Sequence, residues 1–229
     1  MGTPKKNGKY LPPGNHQSTF GGNGFLSQKK TLFAEERLTE RVKRLRVAYL
    51  AWQQQVDASK VICIDEAGCN SKMTRRVARS LKGTRAIDHI PGGRGQSITL
   101  IGALSLQGIE AIITGEGGTT SEVWRAFVKQ ALIPVLKPGQ IVVVDNLSSH
   151  KDKMAQKMIE EAGCTLRFQP PYSPEMNPIE LAWSKMKQFL GVAKARSREA
   201  LDIAVAMACE MVTPDDAAGW FSLSGFTNQ

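Results

Sequence analysis

Three acidic residues stand where metal-dependent chemistry on phosphates would require them. Asp65 follows the apolar run 61–64 and Asp145 follows the apolar run 141–144, both of which predict buried strands. Glu180 lies in the first turn of a helix predicted over 178–190. These positions can converge on one edge of an α/β sheet, where carboxylates repel one another unless cations lie between them. The pattern predicts a site for Mg²⁺ or Mn²⁺, with two ions acting on a phosphodiester.

Each acid also has a purely structural explanation. An aspartate at the end of a strand often begins a turn. Asn177 could be a helix N-cap and Pro178 the first helical residue, in which case Glu180 would close a capping box. The occurrence of all three acids at positions that converge favours the metal site.

The elements that must position these acids follow from hydrophobic periodicity and turn residues. A charged helix is predicted over 32–55, a strand from 61, a basic loop or hairpin over 70–96, and two strands joined at Gln107-Gly108. Helices and strands then alternate: helix 119–136, strand 141–144, helix 149–162, strand 166–169 and helix 178–190, with later helices capped by Ser197 and Thr213. This order predicts an α/β fold, a mixed five-stranded sheet flanked by helices.

The charge distribution points to a polyanionic partner. The net charge is +9, and the positive charge is concentrated in residues 1–60 and 72–96 beside a more acidic body. Such a division suits a nuclease, which must hold phosphates and still keep acidic groups for metal. The candidate DNA contacts are Arg75, Arg76, Arg79, Lys82 and Arg94.

Composition also limits the setting. No apolar run is long enough to span a membrane, and the basic N-terminus lacks the apolar stretch of a secretory signal. The four cysteines form no CxxC pair, so buried thiols in a reducing compartment are expected. We expect a cytoplasmic protein with a disordered basic segment over 1–27, a basic linker helix over 28–60, a catalytic domain over 61–192 and a helical extension over 193–229.

Three segments carry a resemblance to a known family. IDEAG (64–68), VVVDNLSSHK (142–151) and PPYSPEMNPIELAWSKMK (170–187) resemble the signature blocks of mariner-type DDE transposases, particularly their bacterial insertion-sequence relatives. The resemblance covers about 28–229. It implies an RNase H-like fold and a metal-binding catalytic triad of Asp65, Asp145 and Glu180.

The resemblance also indicates roles for neighbouring residues. Asn146 and His150 match the second block, and either could orient a metal ion, a water or a phosphate. For His150, a polar residue near a helix start is an equally open interpretation. Glu66 is expected to point away from Asp65 and not to bind metal. Arg75, Arg76 and Arg79 fall in the family's loop after the first strand.

The predicted function is cleavage of transposon ends followed by strand transfer into target DNA. The alternatives are a non-catalytic DNA-binding remnant, which the intact triad disfavours, and an RNase H-like nuclease or junction resolvase, which the third block disfavours.

Two ends must be cut together, so a homodimer on DNA is expected. Complete family members place helix-turn-helix units ahead of the first catalytic aspartate. Here that module is expected to be missing, truncated or a separately encoded subunit, and the setting is the bacterial nucleoid.

Overall fold

Five strands form one mixed sheet in the order β3-β2-β1-β4-β5. The computed structural model describes residues 34–75, 77–93 and 95–227. The strands are β1 (Val61–Asn70), β2 (Ser97–Ser105), β3 (Gly108–Gly115), β4 (Ile141–Val144) and β5 (Thr165–Phe168). β1, β2 and β3 pair antiparallel, whereas β4 is parallel to β1 and β5 is parallel to β4. The predicted mixed five-stranded sheet is confirmed.

The first strand is longer than the sequence pattern predicts. β1 pairs with β4 only over Val61–Cys63 and then continues along β2 from Cys63 to Asn70. The expectation that the strand ends at Asp65 was wrong. Beyond Cys63 the backbone of β1 no longer pairs with β4, but its hydrogen bonds with the antiparallel strand β2 continue to Asn70. Asp65 therefore lies just beyond the point where β1 and β4 part.

In the described part of the chain six α-helices flank the sheet: α1 (Glu40–Gln53), α2 (Ser121–Phe127), α3 (Lys153–Glu161), α4 (Ile179–Ala193), α5 (Arg198–Glu210) and α6 (Pro214–Leu223). The side chains of Ser197 and Thr213 cap α5 and α6, as predicted. α1 is shorter than the predicted 32–55, because Thr39 caps it at its start; residues 32 and 33 lie outside the described part. The helix predicted over 119–136 is also interrupted, since a wider π turn and a 3-10 turn containing Pro134 follow α2.

Two hydrophobic clusters lie on opposite faces of the sheet. One contains Trp124 and Ile159 from the α2–α3 side, and the other contains Trp183 from α4 together with residues of α1, α5 and α6. Side chains alternate along β1, so Ile64 belongs to the α2–α3 face and Cys63 to the α4 face. This alternation places Asp65 on the α4 side. Truncating an anchor such as Trp183 to alanine would cost about 3–5 kcal/mol of stability.

Among the described residues, no helix combines the length and apolarity needed to cross a bilayer. The four cysteines are free, and three of them are buried.

Candidate active site

A cavity of about 470 Å³ opens at the sheet edge where β1 and β4 part. The predicted residues Asp65, Asp145 and Glu180 all line it, so three segments far apart in sequence contribute to one space. Its remaining lining comes from Asn146 and Leu147 after β4, from residues 169–174 after β5, and from Asn177. That the three carboxylates bind metal stays a prediction.

A glycine in β2 sets how close α4 lies to Asp65. Gly102 is the direct partner of Asp65 in the β1–β2 register. A Cβ atom at residue 102 would lie 2.6 Å from the Trp183 ring of α4. The absent side chain thus lets Trp183 pack directly onto the sheet. Glu180, one turn earlier on the same helix, is carried to the cavity by this contact.

The loop after β4 is held from two sides. The Asn146 side-chain amide donates to the Gln169 carbonyl, which ties the end of β4 to the end of β5. The Leu147 amide donates to Asp145 Oδ1 at 3.0 Å. Asn146, predicted as an orienting residue, therefore acts on the backbone that carries Asp145.

At the start of α4 the structure argues against Glu180 acting only as a cap, because no side-chain hydrogen bond caps this helix. Asn177 donates to the Ile64 carbonyl at 3.4 Å. Asn177 is only 3% exposed, and its Oδ1 atom has no hydrogen-bond partner within the described residues. A buried, unsatisfied carbonyl oxygen lining a carboxylate cavity is the kind of group that a cation satisfies.

The electrostatics of the cavity also fit a divalent cation. Burial, then the charges of Glu180, Glu66 and Asp145, raises the pKa of Asp65 to about 7. Burial raises the pKa of Glu180 as well, with Asp145 adding to the shift and Lys187 opposing it. A bound cation would stabilise the ionised carboxylates that now repel one another. The donor set of carboxylate and amide oxygens suits a hard ion such as Mg²⁺ or Mn²⁺.

His150 links Asp145 to a second carboxylate on the other face of the sheet. The ring is fully buried against Trp124, with 4.4 Å between ring centroids. Its Nδ1 atom lies 2.6 Å from Asp145 Oδ1 and its Nε2 atom 2.9 Å from Glu66 Oε1. Burial lowers the pKa of His150, but its hydrogen bonds to Asp145 and Glu66 outweigh that effect and raise the pKa to about 9. The imidazolium therefore donates to both carboxylates at neutral pH.

Glu66 was expected to point away from Asp65 and not to bind metal, but its position makes it a candidate site residue. Alternation along β1 does turn it away from Asp65, yet His150 connects it to Asp145. Within the described ranges, these three residues form the cluster whose possible metal-ligand atoms all lie within 4.8 Å of one another. Two features of the sequence could have indicated this link: the acid next to Asp65 and the histidine five residues after Asp145.

The predicted DNA-contact residues do not line this cavity. Arg75 and Arg79 line a separate groove of about 1350 Å³ between the loop after β1 and α4, together with Lys185 and Lys187. Lys82 is exposed on the same loop. Arg76 and Arg94 lie outside the described residues.

The loop that carries Arg75 and Arg79 is anchored to the turn between α4 and α5. Asp88 accepts hydrogen bonds from Thr74 at 2.8 Å and from Lys194 at 2.6 Å. Arg196 donates to the carbonyl oxygens of Ser71 and Met73. These bonds keep the basic loop beside α4 despite its lack of regular secondary structure.

The mixed sheet, its flanking helices and the acidic cavity at its edge define the RNase H-like class of α/β folds. Residues 60–202, well over half of the chain, match the family model described as DDE superfamily endonuclease. The chain belongs to this family. No protein with a curated description matches it in sequence.

Solved structures with a similar fold include several of Mos1 transposase. A paired-end complex with the left transposon end matches with a TM-score of 0.65 and 16% identity, over 87% of this chain and 63% of that chain. A pre-cleavage transpososome matches with a TM-score of 0.68 and 14% identity, over 90% and 69%. The catalytic domain with Raltegravir and Mn matches with a TM-score of 0.62 and 13% identity, over 85% and 92%. The chain thus spans less than two thirds of the Mos1 chain in the first of these complexes.

Proposed function

We propose that this chain is the catalytic part of a mariner-like transposase, which cleaves DNA at transposon ends and joins the freed ends to target DNA. The observation that supports it most is that Asp65, Asp145 and Glu180 line one cavity within the segment matching the DDE endonuclease family. The similarity of fold to Mos1 transposase adds to this, since structures of that protein are described with transposon ends and with Mg or Mn.

Asp65, Asp145 and Glu180 would hold two Mg²⁺ or Mn²⁺ ions, with Asn177 offering a further oxygen. When bound, such ions activate the attacking oxygen and stabilise the leaving oxygen of a phosphodiester. Water attacks phosphorus first, the bond to the 3′ oxygen breaks, and that oxygen leaves as a hydroxyl. In the second step the 3′ hydroxyl attacks a target phosphodiester and displaces another 3′ oxygen. The protein's share is to orient: His150 fixes the Asp145 carboxylate, and Asn146 fixes its loop.

The organisation that accompanies this function is also proposed. The catalytic domain spans 61–192, with 193–229 as its helical extension, since α4, α5 and α6 contribute to one hydrophobic cluster. The partner is DNA, and a homodimer holds both ends. Helix-turn-helix units supply end recognition, and the setting is the cytoplasm of a bacterial cell, at the nucleoid.

The test is cleavage of duplex DNA by the full chain with Mg²⁺ or Mn²⁺. We expect activity that EDTA abolishes and that Asp145→Asn abolishes while DNA binding, measured by anisotropy, stays within about twofold, because the change removes a metal ligand and no phosphate contact. Asp215→Asn, the same substitution at an exposed position in α6, is the matched control. Cleavage that persists in EDTA and in the Asp145→Asn protein would refute two-metal chemistry.

A further inference from the structure

The loop after β5 holds an aromatic residue in an unusual backbone conformation. Tyr172 lines the catalytic cavity and has φ of +56°. Within the described residues, Lys194 is the other non-glycine residue with positive φ. A bulky L-residue in this left-handed region is strained, and such strain concentrates at functional sites. A glycine or asparagine would have made the same turn at lower cost.

The ring that this conformation presents has no partner in the described part of the chain. Tyr172 is 48% exposed although it borders a cavity. Its hydroxyl forms no hydrogen bond and its ring no aromatic or cation–π pair with any described residue. About half of the residue is therefore open to solvent, and that half is available to a ligand.

The backbone of the loop is restrained, so the position from which the ring projects is fixed before any ligand arrives. Pro171 and Pro174 flank Tyr172 and Ser173 and restrict the backbone. Ser173 Oγ donates to the Pro171 carbonyl at 3.0 Å and accepts from Arg46 Nη1 of α1 at 2.5 Å. Arg46 also forms an ion pair with Glu175 at 2.6 Å. A preorganised aromatic surface loses little freedom when it binds.

We propose that Tyr172 is a stacking subsite for one unpaired nucleobase, next to the phosphate on which the cavity acts. This inference rests on the proposed function and names a substrate contact within it. At about 470 Å³ the cavity is large enough for a single nucleotide. Carboxylates line it beside the ring, so a phosphate held through metal would place a neighbouring base near Tyr172. Every base has a π-face, so this contact tolerates any sequence.

The test compares Tyr172→Gly and Tyr172→Phe with the wild-type full chain. Glycine removes the ring and relieves the backbone strain, whereas phenylalanine keeps the ring and removes the hydroxyl. Three quantities are measured: Tm, the rate of Mg²⁺-dependent cleavage, and the quenching of 2-aminopurine in the unpaired tail of a short duplex, with Ca²⁺ replacing Mg²⁺. Leu223→Ala, at an exposed apolar position at the end of α6, is the control.

We expect Tyr172→Gly to have an unchanged or higher Tm, yet to lose about tenfold in cleavage rate and most of the quenching. Tyr172→Phe should keep all three. The subsite is refuted if the glycine variant cleaves and quenches like wild type, if it loses Tm along with activity, or if phenylalanine is as damaging as glycine. If the wild-type chain and Tyr172→Gly both cleave normally, the stacking subsite is refuted and the proposed function is not. A wild-type chain that neither binds nor cleaves DNA refutes the proposed function as well.

Discussion

His150 Nδ1 lies 2.6 Å from Asp145 Oδ1, and the same ring reaches Glu66 with its other nitrogen. A buried imidazolium between two carboxylates fixes the orientation of each, and residues that orient metal ligands strongly affect metal affinity. The sheet therefore contributes to the cavity from both of its faces: Asp65 directly, and Glu66 through His150.

The first prediction concerns this link. Glu66→Ala should weaken Mn²⁺ binding by about 10- to 100-fold, because His150 loses the acceptor that holds its ring in place. Glu66→Gln retains an acceptor oxygen and should recover part of the affinity. Calorimetric titration with Mn²⁺ measures both, and Glu161→Gln, an exposed position in α3, is the control. Equal Mn²⁺ affinity in wild type and Glu66→Ala would show that Glu66 has no part in the site.

The second prediction concerns pH. The pKa of Asp65 is about 7 in the fold, above the value of about 3.9 for an unfolded aspartate. The folded state thus binds this proton more tightly, so the metal-free protein loses stability as the pH rises between these two values. Bound metal requires the ionised carboxylate. The rise in Tm on adding Mg²⁺ should therefore be larger at about pH 8 than at about pH 5.

A variant separates this cause from other effects of pH. Asp65→Asn should raise the metal-free Tm at about pH 8, where the wild-type carboxylate is ionised and repelled by its neighbours. The same variant should lose most of the Mg²⁺-induced rise. A metal-free Tm that falls in Asp65→Asn would contradict carboxylate repulsion as the cause.

The third prediction concerns the glycine beneath α4. Gly102→Ala places a methyl group 2.6 Å from the Trp183 ring, so either this side chain or the helix that carries it must move. We expect a loss of about 1–3 kcal/mol in the free energy of unfolding, and about a hundredfold loss of activity if Glu180 moves by about 1 Å. Gly68→Ala is the control, since a Cβ there meets nothing within 4 Å. Denaturant melts and cleavage rates decide the outcome, and an unaffected Gly102→Ala protein would contradict it.

The fourth prediction concerns the basic groove beside α4. Arg75→Ala and Arg79→Ala should each lower DNA affinity at every sequence and reduce the slope of log K against log salt by about 0.9, the effect of one lost phosphate contact. Mn²⁺ affinity should not change, because neither arginine lines the catalytic cavity. Lys129→Ala, at an exposed position on the turn after α2, is the control. A salt slope equal to that of wild type would remove these arginines from the DNA surface.

Sequence predicts the sheet well because its central strands are continuous apolar runs. Residues 61–64 and 141–144 are rich in β-branched side chains, which favour buried strands, and an acid follows each run. The caps Ser197 and Thr213 carry their own local signals, as does the hairpin, whose turn is at Leu106-Gln107, one residue before the predicted Gln107-Gly108. Apolar runs, turn residues and helix caps therefore predict the strands and helices whose positions depend on nearby residues.

Features that depend on tertiary partners could not be predicted in this way. β1 extends to Asn70 because β2 pairs with it, and no residue of β1 itself indicates this length. The left-handed conformation of Tyr172 occurs without a glycine. The role of Glu66 follows from the position of His150, 84 residues further along the chain. For β1 and Glu66 the deciding contact lies far along the chain, and for Tyr172 the turn lacks the glycine that would signal a positive φ.

The position of β1 in the sheet has a consequence for biosynthesis. β1, β2 and β3 are consecutive and pair as neighbours, so they can associate while the chain is still on the ribosome. β4 joins β1 only after a long connection, and α4 follows later still, with Glu180 in its first turn. A nascent chain thus displays Asp65 without either partner carboxylate. The cavity that all three carboxylates line therefore cannot form until α4 has been synthesised.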